Sequence, residues 1–88
     1  MLFRSHLWMG MILGQQMRYV EARQRFETAL SKNPLLGDAL IGVADTFAAT
    51  GAFAQADVAL KRAEQAEPNN PRLPAARDRI LAAAKASR

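Results

Sequence analysis

Asp38 and Asp45 stand seven residues apart, two turns of a helix, which would put both carboxylates on one face. Carboxylates placed together can do acid/base work, or they can recognise a basic ligand. Arg72 and Arg79 repeat the spacing with the opposite charge and would likewise share a face. His6 is the single imidazole, and no carboxylate lies close to it in the sequence to make a general base of it. With no cysteine there is neither a thiol nucleophile nor the ligand set of a structural zinc site. No glycine-rich phosphate loop or calcium loop occurs. The aspartate pair, with no pocket implied around it, fits recognition of a basic ligand or solubility. No catalytic, cofactor-binding or metal-binding residue is expected, and the chain is not expected to be an enzyme.

The chain that positions these groups has 88 residues, half of them apolar, enough for one small domain. It reaches that size without a disulfide, and the absence of cysteine leaves the redox compartment open. Met1 to Leu13 begins like a targeting segment, but Arg4, Ser5 and His6 interrupt the apolar run, and no small-residue cleavage site follows. A membrane helix needs about 20 apolar residues, and no such run exists, so no membrane association is expected and a cytoplasmic setting is favoured. The alanine- and arginine-rich composition points to a bacterial source.

A period of 34 residues runs through the sequence. Pro34 and Pro68 are one period apart, as are Ala22 and Ala56, and Ala29 and Ala63. Similar residues pair at the same shift: Leu7 with Ile41, Met9 with Val43, Gly10 with Ala44, Leu13 with Phe47, Tyr19 with Phe53, and Phe26 with Leu60. The tetratricopeptide repeat (TPR) has this length and the pattern W-x2-L-G-x2-Y, then A-x3-F, then P. Here the first copy reads His6-x2-Met9-Gly10-x2-Leu13, Ala22-x3-Phe26, Ala29 and Pro34. The second reads Leu40-x2-Val43-Ala44-x2-Phe47, Gly51, Ala56-x3-Leu60, Ala63 and Pro68. The chain therefore resembles the TPR family over about residues 3–70. It departs from the pattern at His6, where an aromatic is expected, and at Met17, which replaces the helix-ending glycine seen at Gly51.

The physical chemistry of the residues agrees. Met9 and Leu13, and Val43 and Phe47, recur at helical spacing and give each first helix a buried stripe. Small residues at Gly10, Ala22, Ala29, Ala44, Ala56 and Ala63 let helices approach, while Tyr19, Phe26, Phe53 and Leu60 fill the space between them. Gly51 can take the left-handed conformation that ends a helix, and Pro34 and Pro68 disfavour helix just before them. The expected fold is all-α: five helices near 3–16, 20–32, 37–49, 54–66 and 72–86, arranged as antiparallel pairs in a right-handed superhelical stack. The domain spans 1–88, with repeat 1 at 3–36, repeat 2 at 37–70 and a capping helix at 71–88. Pro71 and Pro74 open that last helix, and Leu73, Ala76, Ile80 and Ala84 form its apolar stripe. Arg77 and Asp78 fall where a further repeat would stack, as suits a terminal helix. Met1, Leu2 and Phe3 run into the first helix without a capping residue. The chain is thus expected to be a piece of a longer array; the alternative is self-association through this edge.

The net charge of +4 raises the question of nucleic acid. It divides into +3 over residues 3–36, −3 over 37–70 and +4 over 71–88, so no contiguous basic stripe is expected. Nucleic-acid binding through Arg72, Arg77, Arg79, Lys85 and Arg88 is the least favoured binding mode. The TPR resemblance instead implies a concave groove, lined by the first helix of each pair, that takes a peptide or helix of a partner protein. Carried onto this sequence, the groove positions are Arg4, Leu7, Met11 and Gln15, then Asp38, Ile41, Asp45, Ala48 and Ala49, then Arg72, Ala75 and Arg79. Leu7, Met11 and Ile41 would form an apolar centre between charged flanks, or else pack against one another. On this basis Ile41→Asp or Leu7→Asp would weaken partner binding and leave the helices intact. Trp8, beside Met9, fits packing, with a binding anchor as the alternative. The carboxylate grip of chaperone-binding TPR domains is not matched, because Leu7, Met11 and Asp45 stand at that surface. The expected role is an adaptor, scaffold or chaperone-like protein-interaction module.

Overall fold

A computed structural model describes residues 3–33 and 36–86, with side chains from Trp8 onward. Five α-helices follow one another: α1 Phe3–Gln15, α2 Tyr19–Lys32, α3 Gly37–Ala49, α4 Phe53–Ala66 and α5 Leu73–Ala86. No strand occurs among the described residues, and every helix boundary lies within one residue of its expected place. Pro34 and the Met1–Leu2 start lie outside the described residues, and so does Arg88. Pro68 stands in the turn that follows α4.

The two first helices end by the same device. At the end of α1 the Arg18 N–H donates to the Leu13 carbonyl (2.9 Å) and the Met17 N–H to the Gly14 carbonyl (3.1 Å). One repeat later the Ala52 N–H donates to Phe47 (2.8 Å) and the Gly51 N–H to Ala48 (3.1 Å). This pair of bonds needs a left-handed residue between them, which is Met17 at φ 62 and Gly51 at φ 84. The left-handed region costs a non-glycine residue about 1–2 kcal/mol, and the Met17 side chain, 75% exposed, recovers little of that by packing. Met17→Gly gives back part of the gain as unfolded-chain entropy. It is therefore expected to stabilise the domain by about 0.5–1 kcal/mol, several degrees in Tm at this size. Thermal denaturation followed by circular dichroism checks it, and an unchanged or lower Tm would refute the strain at Met17.

Small residues set how closely the helices pack. Ala22, Ala29, Ala56 and Ala63 are fully buried, along with Ala39 and Ala44. One large ring works among them. Phe26 of α2, 4% exposed, lies in a slot between Gly10 of α1 and Gly42 of α3. A Cβ on Gly10 would meet the ring at 2.7 Å and one on Gly42 at 2.5 Å, closer than carbon atoms can approach without displacing something. Helix α3 is the hub, touching all four of the others, and Leu40, Ile41, Val43 and Ala44 on it are buried. Arg23 of α2 ties the repeats together. Its Nε donates to Thr46 Oγ1 (3.2 Å), and its guanidinium lies over the Phe47 ring, 3.9 Å from the centroid. The hydroxyl of Thr46, the buried polar residue here, donates in turn to the Val43 carbonyl (2.7 Å).

The last helix packs on the second repeat. Leu73, Ala76 and Ile80 are buried where α5 meets α3 and α4. Arg77 and Asp78 are exposed, and Arg77 pairs with Glu64 of α4.

Candidate functional site

The residues whose spacing suggested chemistry turn out to be partners. Arg79 Nη2 donates to Asp45 Oδ2 at 2.9 Å, and Arg72 Nη1 lies 3.8 Å from Asp38 Oδ1. Each pair spans 34 residues, one repeat, so the two carboxylates of α3 and the two guanidinium groups of the next first helix face one another rung by rung. A carboxylate already holding a guanidinium is poorly placed to take a proton from a substrate. With one aspartate on each rung, the two also share no proton. Among the described residues no group of three His, Cys, Asp or Glu side chains is placed to hold a metal ion. The aspartate side chains are 35% and 39% exposed and the arginines 49% and 56%. Pairs this open to water contribute about 1 kcal/mol at most, so they orient α5 more than they hold the fold together.

A short loop sets the first rung. The Gly37 N–H, at the start of α3, donates to Glu67 Oε1 (2.9 Å), placing a carboxylate at the positive end of the helix. Asn70 Nδ2 donates to both Glu67 Oε1 and Asp38 Oδ1, each at 3.1 Å, and Asn70 Oδ1 accepts from the Arg72 N–H (2.9 Å). Asn70 thus fixes Asp38 and the backbone of Arg72 together. Neither Glu67 nor Asn70 is recognisable from the repeat pattern, because their partners come close only once α3 and α5 stack.

Between α1 on one side and α3 and α5 on the other lies an open groove of about 530 Å³. Of the expected positions, Met11 and Gln15 line one wall, Asp38 and Asp45 with Arg72 and Arg79 line the other, and Ile41 forms part of the floor. Ala48, Ala49 and Ala75 are not among the lining residues. The side chains of Arg4 and Leu7 lie outside the described residues. Ile41 is only 2% exposed because α3 is enclosed by the other helices, so it is a core residue beneath the groove. Ile41 thus belongs at once to the core and to the floor of the groove.

Gly10, Gly14, Tyr19, Phe26, Gly42 and Thr46 also line the groove and were not anticipated. Gly14 is one repeat before Ala48, so the period itself pointed to it, but a residue without a side chain carries no visible binding chemistry. A Cβ on Gly14 would meet nothing within 4 Å, which leaves that wall open. Trp8 is not among the groove's lining residues and is 66% exposed, so the packing expected for it is not found.

Of the expected basic residues, Arg72, Arg77 and Arg79 face Asp38, Glu64 and Asp45. Among the described residues no helix is long and apolar enough to cross a membrane. No curated protein and no solved structure matches the chain significantly. A family model described as tetratricopeptide repeat matches residues 15–80, three quarters of the chain, from the end of α1 through most of α5. Repeats of this kind generally mediate contacts between proteins and are typically not enzymes. The 34-residue period, the paired helices with alanines at their crossings and this match agree, and the chain belongs to the tetratricopeptide repeat family.

Proposed function

We infer that the chain is a protein-interaction module that receives a segment of a partner protein in the groove between α1, α3 and α5. The open groove of about 530 Å³, with an uncharged wall at Met11, Gly14 and Gln15 facing the charged rungs of α3 and α5, carries the inference. The uncharged wall suits an apolar anchor on the partner, and the Asp–Arg rungs offer hydrogen bonds along its length. As an adaptor or scaffold, the domain would contribute position and would leave chemistry to its partners.

Gly14→Leu is the substitution that separates binding from folding. The site is open, and leucine favours a helix over glycine by about 0.5–0.8 kcal/mol, so the variant fills the groove without disturbing the core. Peptides selected from a displayed random library on the native chain would then be titrated calorimetrically against both proteins. Saturable binding weakened about tenfold or more in Gly14→Leu, with Tm unchanged or raised, is the expected result. Peptides that bind both proteins equally well would place the contact elsewhere and overturn the groove assignment.

A further inference from the structure

A second concave surface lies within the second repeat. Val43 and Phe47 of α3 form the floor of a shallow crevice of about 350 Å³, and Ala54, Val58, Ala59 and Arg62 of α4 line its side. It shares no lining residue with the groove. Val58 stands 60% exposed at this crevice. One period earlier Val58 and Ala59 are Gln24 and Arg25, so the pairing of helices within a repeat does not require an apolar side chain at Val58.

The helices on either side of this repeat are in place and leave the crevice uncovered. Helix α2 of the first repeat lies on α3, with Arg23 on Thr46 and Phe47, but α2 and α4 do not touch each other. Helix α5 packs on α3 and α4 through Leu73, Ala76 and Ile80, none of which lines the crevice. The stacking of repeats thus does not close it.

Charge selects what can cover it. Arg62 lines the crevice, and the Arg23 guanidinium lies over the Phe47 ring, 3.9 Å from its centroid. The N–H groups of Arg23 go to the hydroxyls of Thr46 (3.2 Å) and Thr50 (3.5 Å). Among the described residues no carboxylate lies within ion-pair distance of either arginine, whereas Arg72, Arg77 and Arg79 each have one. No acidic residue lines the crevice either. An apolar floor beside two uncompensated guanidinium groups complements an anionic segment that carries an apolar side chain. Arginine suits that role because its planar fork takes a carboxylate by two hydrogen bonds. A concave space of this size admits a single side chain, whereas a bilayer would need a broad apolar face. We propose that the crevice seats one apolar side chain of a partner protein, flanked on the partner's chain by Asp or Glu that pair with Arg23 and Arg62. The contact is separate from the groove, so one domain can hold two partner segments at once.

Peptides would be selected from a displayed random library on Gly14→Leu, whose groove is filled, and titrated against the native chain, Val58→Glu and Arg62→Glu. The enriched peptides are expected to carry a large apolar residue between Asp or Glu. They should bind the native chain and Gly14→Leu alike, and move the methyl resonances of Val43 and Val58. Each of the other two substitutions should weaken binding about tenfold or more. Val58→Glu changes an exposed position four residues before Arg62, a spacing at which opposite charges favour a helix. It therefore removes the apolar contact and occupies Arg62 while the helical spectrum is kept. Added salt should weaken the binding. No enriched peptide, enrichment of Lys or Arg beside the apolar residue, or equal affinity for the native chain and both charge variants would overturn the proposal. Binding to phosphatidylserine vesicles that is lost in Arg62→Glu, without peptide binding, would assign the crevice to lipid and overturn it as well.

Discussion

Phe26→Ala is expected to lower the free energy of unfolding by about 3–5 kcal/mol, against a total of about 5–15 kcal/mol for a typical domain. The ring is 4% exposed and serves two interfaces at once, α2 with α1 at Gly10 and α2 with α3 at Gly42. Two glycines and nearby alanines cannot grow into the space it leaves, so the cavity stays largely unfilled. The converse substitution tests the same slot. Gly42→Ala would set a Cβ within 2.5–2.7 Å of three ring atoms, and a buried ring cannot retreat as a flexible chain end would. Overpacking of that kind costs about 1–3 kcal/mol. In the double variant the new methyl occupies part of the vacated slot, so the combined loss should fall short of the sum of the two, by about 0.5–3 kcal/mol. Urea denaturation of the four proteins measures this coupling. Additive losses would show that the ring and Gly42 do not share a slot.

The helices were legible because their signals are local and then repeated. The alanines at 22 and 29 and the same pattern at 56 and 63 place the second helix of each pair and its inner face twice over, whereas the stripe expected through Met9 and Leu13 is buried only in its later copy at Val43, Met9 being 40% exposed. What escaped depends on how the repeats stack. Gly42 pairs with Trp8 across the period, so the slot for Phe26 left no trace in the repeat pattern. The rungs were visible as residues but not as pairs. Asp38 with Arg72 and Asp45 with Arg79 are each separated by one period, and only adjacent first helices make that separation a contact. Arg23 carries no signal in the repeat pattern, yet its guanidinium is anchored over Phe47 and on Thr46. At Met17 the departure from glycine was legible, and the left-handed backbone at that position gives its physical meaning.

Ile41→Asp is expected to abolish cooperative folding, which reverses the expectation that it would spare the helices and weaken only the binding of a partner. At 2% exposure the isoleucine is core. Truncating such a side chain costs about 2–5 kcal/mol through lost burial and the cavity that remains. The carboxylate adds the penalty of a buried charge, which is large unless a partner neutralises it. None is at hand nearby. Arg72 and Arg79 are engaged by Asp38 and Asp45, and those aspartates lie three residues before and four after position 41 on the same helix, where like charges repel. The combined loss rivals the whole stability of a small domain. Ile41→Val, by contrast, should cost only about 0.5–1.5 kcal/mol and keep a cooperative transition. Far-ultraviolet circular dichroism with thermal denaturation separates the two: native helicity and a sharp melt for valine, and neither for aspartate. A fully helical, cooperatively melting Ile41→Asp would mean that the floor of the groove is not the core of the stack. If the variant unfolds as expected, its failure to bind a partner reports the loss of α3, and the groove is judged by Gly14→Leu.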